Sequence, residues 1–122
     1  MQKWEVIRIF CDFLANPHDK FCICICPQTN LFMFINSDPP QFKKAQGLAI
    51  TISSQEALFL HHLSYVDTTK LVEIPNHLVQ QALQDPDRNH GLIAPFLRER
   101  VKNGVGWHEV METAQRDKVL ID

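Results

Sequence analysis

The sequence predicts an α+β protein that is mainly β, with a small, strongly bent sheet or barrel in about the first 75 residues and two or three helices after it. Apolar runs and period-two alternation, separated by turn residues, fill the part before Pro75, whereas apolar residues at helical spacing follow it. A chain of 122 residues is the size of one domain. We therefore expect a single domain over residues 1–122, with the β structure in 1–75 and a helical part in 76–122.

The central hairpin is the clearest element. Residues 21–26 (FCICIC) and 31–35 (LFMFI) are continuous apolar runs rich in strand formers, and the turn sequence PQTN joins them. Strands that are apolar on both faces are usually covered on both faces, so the hairpin should lie inside the core. A first strand is expected within residues 4–14, where apolar residues alternate with a set that includes the charged Arg8.

The remaining elements are shorter. Three further strands are predicted at residues 47–53, 64–66 and 71–74. The helical predictions are one turn or a loop at 41–46, a helix at 77–83 capped by Asn76, and a helix at 94–102 that ends before Asn103-Gly104. Residues 56–61 suit a short helix or the start of a strand, and residues 107–116 suit a third helix or a docked tail.

Composition and charge narrow the function classes. The formal net charge is −2, so a strong general affinity for nucleic acid or anionic lipid is not expected, and a basic site would be a local cluster in the first half of the chain. No apolar stretch approaches the roughly 20 residues of a membrane span, and the first residues lack the apolar core of a secretory signal. A cytoplasmic location is the expectation. Phosphate-binding glycine motifs and the common metallohydrolase motifs are absent from the sequence.

Four cysteines support the same compartment. Cys22, Cys24 and Cys26 alternate along one predicted strand, so their thiols should project from one face at a spacing of roughly 6–7 Å. That spacing is too wide for a disulfide or for neighbouring ligands of one small ion. We expect reduced, buried thiols that pack as small apolar groups, and no metal or cofactor. A cluster with Cys11, which lies on another segment, remains the alternative.

The order of these elements resembles the PemK/MazF-like proteins, small SH3-like barrels that include the ribonuclease toxins of toxin–antitoxin pairs. The matching segments are VIRIFCDF at 6–13, KFCICIC at 20–26, FINS at 34–37 and SYVDTTKL at 64–71. In the toxins an Arg, typically followed by Pro, opens the second strand, a Thr or Ser ends the third, and this pair carries RNA cleavage. Here Lys20-Phe21 stands at the Arg-Pro position, and Ser37 stands at the hydroxyl position.

The resemblance implies, for an active chain, a metal-independent endoribonuclease that acts on single-stranded RNA. Such cleavage needs a base for the 2′-hydroxyl, an acid for the leaving oxygen and a cation at the phosphate. We expect Lys20 to be the cation, although it lacks the bidentate fork of arginine. Ser37 would be the hydroxyl donor, and the imidazole of His18 would be the acid or base. The expected substrate-binding residues are Asn36, Lys43 and Lys44.

Other polar clusters have structural interpretations. For His61-His62 we expect one packed and one solvent-facing ring, with catalytic or metal use as the alternative. Asp67 is expected to cap a local turn. The basic residues Arg98, Arg100 and Lys102 should meet the dipole at the end of a helix, and Trp107 should anchor the tail.

A second hypothesis belongs to a different class. The near-neutral charge and the missing Arg-Pro step favour a catalytically silent barrel that binds a protein partner, either an antitoxin or a second copy of this chain.

Overall fold

A computed structural model of the protein describes residues 1–108 and 110–121, except for the side chains of residues 44, 45, 48 and 108. The strands are β1 (Glu5–Cys11), β2 (His18–Cys26), β3 (Leu31–Asn36), β4 (Ile50–Ile52), β5 (Ser64–Val66), β6 (Val72–Glu73) and β7 (Asn89–Leu92). The helices are α1 (Lys43–Leu48), α2 (Asn76–Leu83), α3 (Pro95–His108) and α4 (Thr113–Leu120). No helix in this described part of the chain is both long and apolar enough to cross a membrane.

A single antiparallel sheet organises the fold. Its strand order is β4-β5-β3-β2-β1-β7, and β6 pairs with β3 beside this path. The sheet curls strongly into a half-barrel, which three helices follow, so the predicted α+β class is confirmed. A register shift between Cys24 and Cys26 accompanies the curl, because a bulge increases the local twist of its strand. The hairpin turn contains Asn30 with φ at 54°, a conformation that asparagine tolerates better than most residues.

Both faces of the central hairpin are buried, as predicted. On one face Ile23, Met33 and Ile35 belong to a core with residues of α3 and α4. On the other face Cys22 and Phe34 belong to a second core that α2 closes. The two faces explain the continuous apolar runs, since residues 22–25 of β2 and 32–35 of β3 are all buried, whichever face they point to.

Several boundaries differ from the sequence predictions. The C-terminal part is not purely helical, because β7 lies within it and pairs with β1. The sequence did not predict β7, because the strand has four residues, one of them Gly91 at φ 79°, and is too short to show a periodic pattern. The predicted strand at 47–53 shrinks to β4, since α1 continues to Leu48. Residues 56–61 form turns and bends rather than a helix or strand.

The helical region also differs in length. Helix α3 runs through Asn103-Gly104, where the sequence predicted its end, and continues to His108. Arg98, Arg100 and Lys102 therefore lie within the helix rather than in its last turn, and the predicted dipole role is wrong. Trp107 is 87% exposed, so it does not anchor the tail.

Candidate functional site

The open end of the central hairpin holds the first candidate group. Phe21 pairs with Ile35, and this register places Lys20 at the start of β2 next to Asn36 at the end of β3. The ammonium group of Lys20 donates a hydrogen bond to Oδ1 of Asn36 and lies 5.3 Å from the ring centroid of Phe34. A cation is thus held at the rim of the sheet by a neutral amide.

A cavity of about 200 Å³, here called the rim cavity, opens beside this pair. Its polar lining consists of His18, Asp19, Lys20, Ser37, His61, His62 and Ser64. The three residues predicted to be catalytic, Lys20, Ser37 and His18, therefore come together in one place. His18 and Ser37 are exposed, so a ligand in the cavity can reach their side chains.

Two histidines join this cavity that the sequence interpretation did not assign to it. His61 and His62 lie on the irregular loop before β5, and both are exposed, so the expectation of one packed ring is wrong. The adjacency of the two residues was visible in the sequence. The direction of their side chains could not be predicted, because the two residues lie on a loop that has neither helical nor strand periodicity.

Two imidazole rings have a defined backbone partner. Nδ1 of His62 lies 3.1 Å from the carbonyl oxygen of Leu63, and Nδ1 of His18 is within hydrogen-bond distance of the carbonyl of Asn16. A carbonyl only accepts, so Nδ1 is the donor in both, and in the neutral ring Nε2 is then the basic nitrogen. Each ring therefore has one nitrogen able to take or deliver a proton.

Charges around the rim cavity favour an anion. Asp19 is the carboxylate in the lining, and the guanidinium groups of Arg88, at 3.0 Å, and Arg8, at 3.7 Å, both pair with it. Arg88 also lies 3.7 Å from Asp85. Lys20 is the cation of the lining, and the two arginines offset the charge of the Asp19 carboxylate, so the balance favours an anion. The sequence interpretation missed Arg88, since 80 residues separate it from the Arg8 carbonyl to which it donates.

A second and larger cavity, here called the loop cavity, has a volume of about 530 Å³. Its lining consists of Asn36, Pro40, Gln41, Phe42, Ala49, Tyr65, Val66, Asp67, Thr68, Thr69 and Lys70. Asn36, predicted to bind substrate, thus lines the loop cavity and accepts from Lys20 of the rim cavity. Lys43 is exposed at the start of α1 and lines neither of these two cavities. The side chain of Lys44 lies outside the described part of the structure.

The cysteine row has no exposed thiol near these cavities. Cys11, Cys22 and Cys24 are buried, and all four cysteines are free. Burial raises the pKa of the Cys22 thiol well above its usual value and that of Cys24 to about 12, so both thiols stay protonated at neutral pH. Within residues 1–108 and 110–121, no three His, Cys, Asp or Glu side chains are grouped so that they could hold a metal ion.

Comparisons of the chain with models of protein families, with curated proteins and with solved structures found no match. The interpretation of the rim and loop cavities therefore depends on their own geometry and chemistry.

Proposed function

We propose that the protein is a PemK/MazF-like, toxin-related endoribonuclease that cleaves single-stranded RNA without a metal ion. The observation that carries the proposal is the convergence of Lys20, Ser37 and three histidines on one small, open cavity. The strongly curled antiparallel sheet is compatible with the barrel that the sequence resemblance implies.

The chemistry needs no group beyond these side chains. One imidazole takes the proton of a 2′-hydroxyl, the O2′–P bond forms, and the P–O5′ bond breaks as a second imidazole protonates O5′. The products are a 2′,3′-cyclic phosphate and a 5′-hydroxyl. Lys20 and the Ser37 hydroxyl donate to the phosphate oxygens, on which negative charge grows.

Cavity size indicates how RNA would be held. About 200 Å³ is below the ≈ 300 Å³ at which typical ligand pockets begin, so the rim cavity suits one phosphate group rather than a whole nucleotide. The neighbouring nucleotides would then lie along the surface outside it. An unpaired strand can adopt this arrangement, because its bases are not held in a duplex.

A cleavage assay with end-labelled single-stranded RNA in the presence of EDTA tests the proposal. Lys20→Met and Ser37→Ala should each lower the cleavage rate about 10²- to 10³-fold, the usual effect of losing one donor to a developing oxyanion. Lys20→Arg should keep substantial activity. The matched control is Lys118→Met, which removes an exposed charge on α4 away from both cavities. Unchanged cleavage in the Lys20→Met/Ser37→Ala double variant would remove the proposal.

The second candidate function is a silent barrel that binds a protein partner, an antitoxin or another copy of the chain. A group of exposed apolar side chains favours it, since Leu58 (90% exposed) and Leu92 (55% exposed) line the same open groove. Inducible expression separates the two candidates. Growth arrest that the double variant abolishes supports the nuclease, whereas harmless high-level expression supports the binding protein.

The proposed target also places the protein in a cell compartment. Its RNA substrate would be cytoplasmic, so a cytoplasmic location is part of this proposal. Fractionation of expressing cells tests it, with the protein expected in the fraction that contains ribosomes and messenger RNA.

A further inference from the structure

The loop cavity has the size and lining that a flat, polar-edged ring requires. At about 530 Å³ it lies within the range of roughly 300–1,000 Å³ that is typical of small-molecule sites. Phe42 and Tyr65 provide aromatic surface, Val66 provides aliphatic surface, and the amides of Asn36 and Gln41 provide donors and acceptors. Aromatic faces with a few polar groups at the edge are the chemistry that holds an unpaired nucleobase.

Tyr65 is fixed in this wall by the sheet. It pairs with Asn36 of β3 on one side and with Thr51 of β4 on the other, so its backbone lies in the middle of three strands. A ring on a paired strand is a more rigid stacking surface than one on a loop. The ring is half-buried, so part of it remains accessible.

Another wall of the loop cavity is a closed turn, which directly follows β5. The carboxylate of Asp67 accepts from the backbone N–H of Thr69 at 3.0 Å and from its hydroxyl at 2.5 Å, which confirms the predicted local cap. Both bonds use the same oxygen of Asp67. Lys70, which is exposed, is the other charged residue of this turn and also lines the cavity. The wall is thus preformed in the absence of a ligand.

The two cavities meet at one hydrogen bond. Asn36 lines the loop cavity, and its partner Lys20 lines the rim cavity. A phosphate bound at Lys20 would therefore lie next to a residue that lines the larger cavity. Ser37 follows Asn36 directly in the chain and lines the rim cavity on the same side.

We propose that the loop cavity is a nucleobase subsite, which takes one unpaired base adjoining the scissile phosphate, stacks it on Tyr65 and contacts its edge through Asn36 and Gln41. This inference rests on the proposed function, since it assigns the substrate's base to a position next to the cleavage site. It also accounts for why an amide rather than a carboxylate holds Lys20, because the amide nitrogen of Asn36 remains a donor for the base.

Equilibrium binding of the four ribonucleoside 3′-monophosphates and the four nucleosides, measured by calorimetry, tests the subsite apart from cleavage. At least one base should bind, and Tyr65→Leu should weaken it by about 10-fold or more, whereas Tyr65→Phe should not. Lys20→Met should weaken the nucleotide but not the nucleoside. Trp107→Leu is the control, since it removes an exposed ring away from the cavity.

A second variant, at a surface residue, tests the subsite even if Tyr65→Leu does not fold. Phe42 is 76% exposed, so Phe42→Ser should fold normally and still weaken base binding severalfold. Absence of binding by every nucleoside and nucleotide, or binding that neither Tyr65→Leu nor Phe42→Ser weakens, overturns the subsite.

The failure of the subsite can be told from failure of the nuclease. RNA cleavage that depends on Lys20 but has the same rate and base preference in Tyr65→Leu overturns the subsite and leaves the nuclease intact. Base binding that depends on Tyr65, in a chain that cleaves no RNA, supports the subsite and overturns the nuclease.

Discussion

Two glycines of α3 should respond in opposite ways to alanine. Among the residues that the structure describes, a Cβ atom on Gly106 would meet Leu120 alone, at 3.9 and 4.0 Å, which is ordinary contact. Because glycine inside a helix costs about 0.8–1 kcal/mol relative to alanine, Gly106→Ala should raise the free energy of unfolding by about that amount. A Cβ atom on Gly104 would lie 2.5 Å and 2.7 Å from Cδ1 and Cγ1 of Ile50. Overpacking of this kind costs about 1–3 kcal/mol, so the helix gain is cancelled or exceeded.

Urea unfolding and thermal unfolding, both followed by circular dichroism, measure the free energy of unfolding and the melting temperature of the two variants. Gly106→Ala should raise the melting temperature by about 4 °C, given the size of the chain, and Gly104→Ala should leave it unchanged or lower it. Shortening Ile50 to alanine should remove the conflict, so Gly104→Ala should be better tolerated in the Ile50→Ala background by about 1 kcal/mol or more. If Gly104→Ala stabilises the wild-type chain as much as Gly106→Ala does, α3 does not pack on β4 as described.

Three further predictions concern titratable groups. Hydrogen bonds from Arg100 lower the pKa of Glu56 from 4.5 to about 2. The pair therefore stabilises the fold above pH 4.5, and this stabilisation is lost as the pH falls toward 2. In Glu56→Gln, the free energy of unfolding measured in urea should change less with pH across that range. Burial, the largest cause, lowers the pKa of His90 below 6.5. The unfolded chain then binds the proton first, stability falls as the pH drops below about 6.5, and His90→Gln should reduce this loss. A hydrogen bond with Thr29 lowers the pKa of Cys26, which is the one cysteine that is not buried. Iodoacetamide should therefore label one thiol in the native chain, that of Cys26, and four thiols after denaturation. Mass spectrometry counts the labels.

Local sequence signals were sufficient for the centre of the fold. The hairpin was predictable because a continuous apolar run, a turn with asparagine and a second apolar run follow one another within residues 21–35, and no distant contact is needed to recognise them. Helix α2 was predictable for the same reason, since its apolar stripe of Leu78, Val79 and Ala82 has helical spacing and is buried as expected.

The errors occur where distant packing overrides local preference. Gly104 predicted a helix end, but Val105 is completely buried in the core with α4, and this burial keeps the chain helical past the glycine. Strand β7 exists because β1 offers it an edge. No short-range sequence pattern can predict a pairing between residues that lie more than 80 positions apart.

The candidate site divides in the same way. Lys20 and Asn36 lie at the ends of two paired strands, so hairpin register alone is enough to bring them and Ser37 close together. His61 and His62 reach the rim cavity on an irregular loop, so their sequence position gave no direction. The loop cavity was not predicted at all, because it forms between the loop at 40–42, the turn at 67–70 and the strands β3 and β5, which are distant in the chain.

The charges around Lys20 affect whether a lysine could bind phosphate at the position where PemK/MazF-like toxins have an arginine. A lysine in contact with a carboxylate is neutralised and has little attraction left for phosphate. Here the carboxylate nearest in sequence, Asp19, pairs with Arg88 and Arg8, while the ammonium group of Lys20 donates to the neutral amide of Asn36. An ammonium group has three donors, so one bond to the amide fixes its position and leaves two donors for phosphate oxygens. In the proposed nuclease, the two arginines would thus keep the Asp19 carboxylate from pairing with Lys20, and the point charge of Lys20 would take the place of the bidentate fork.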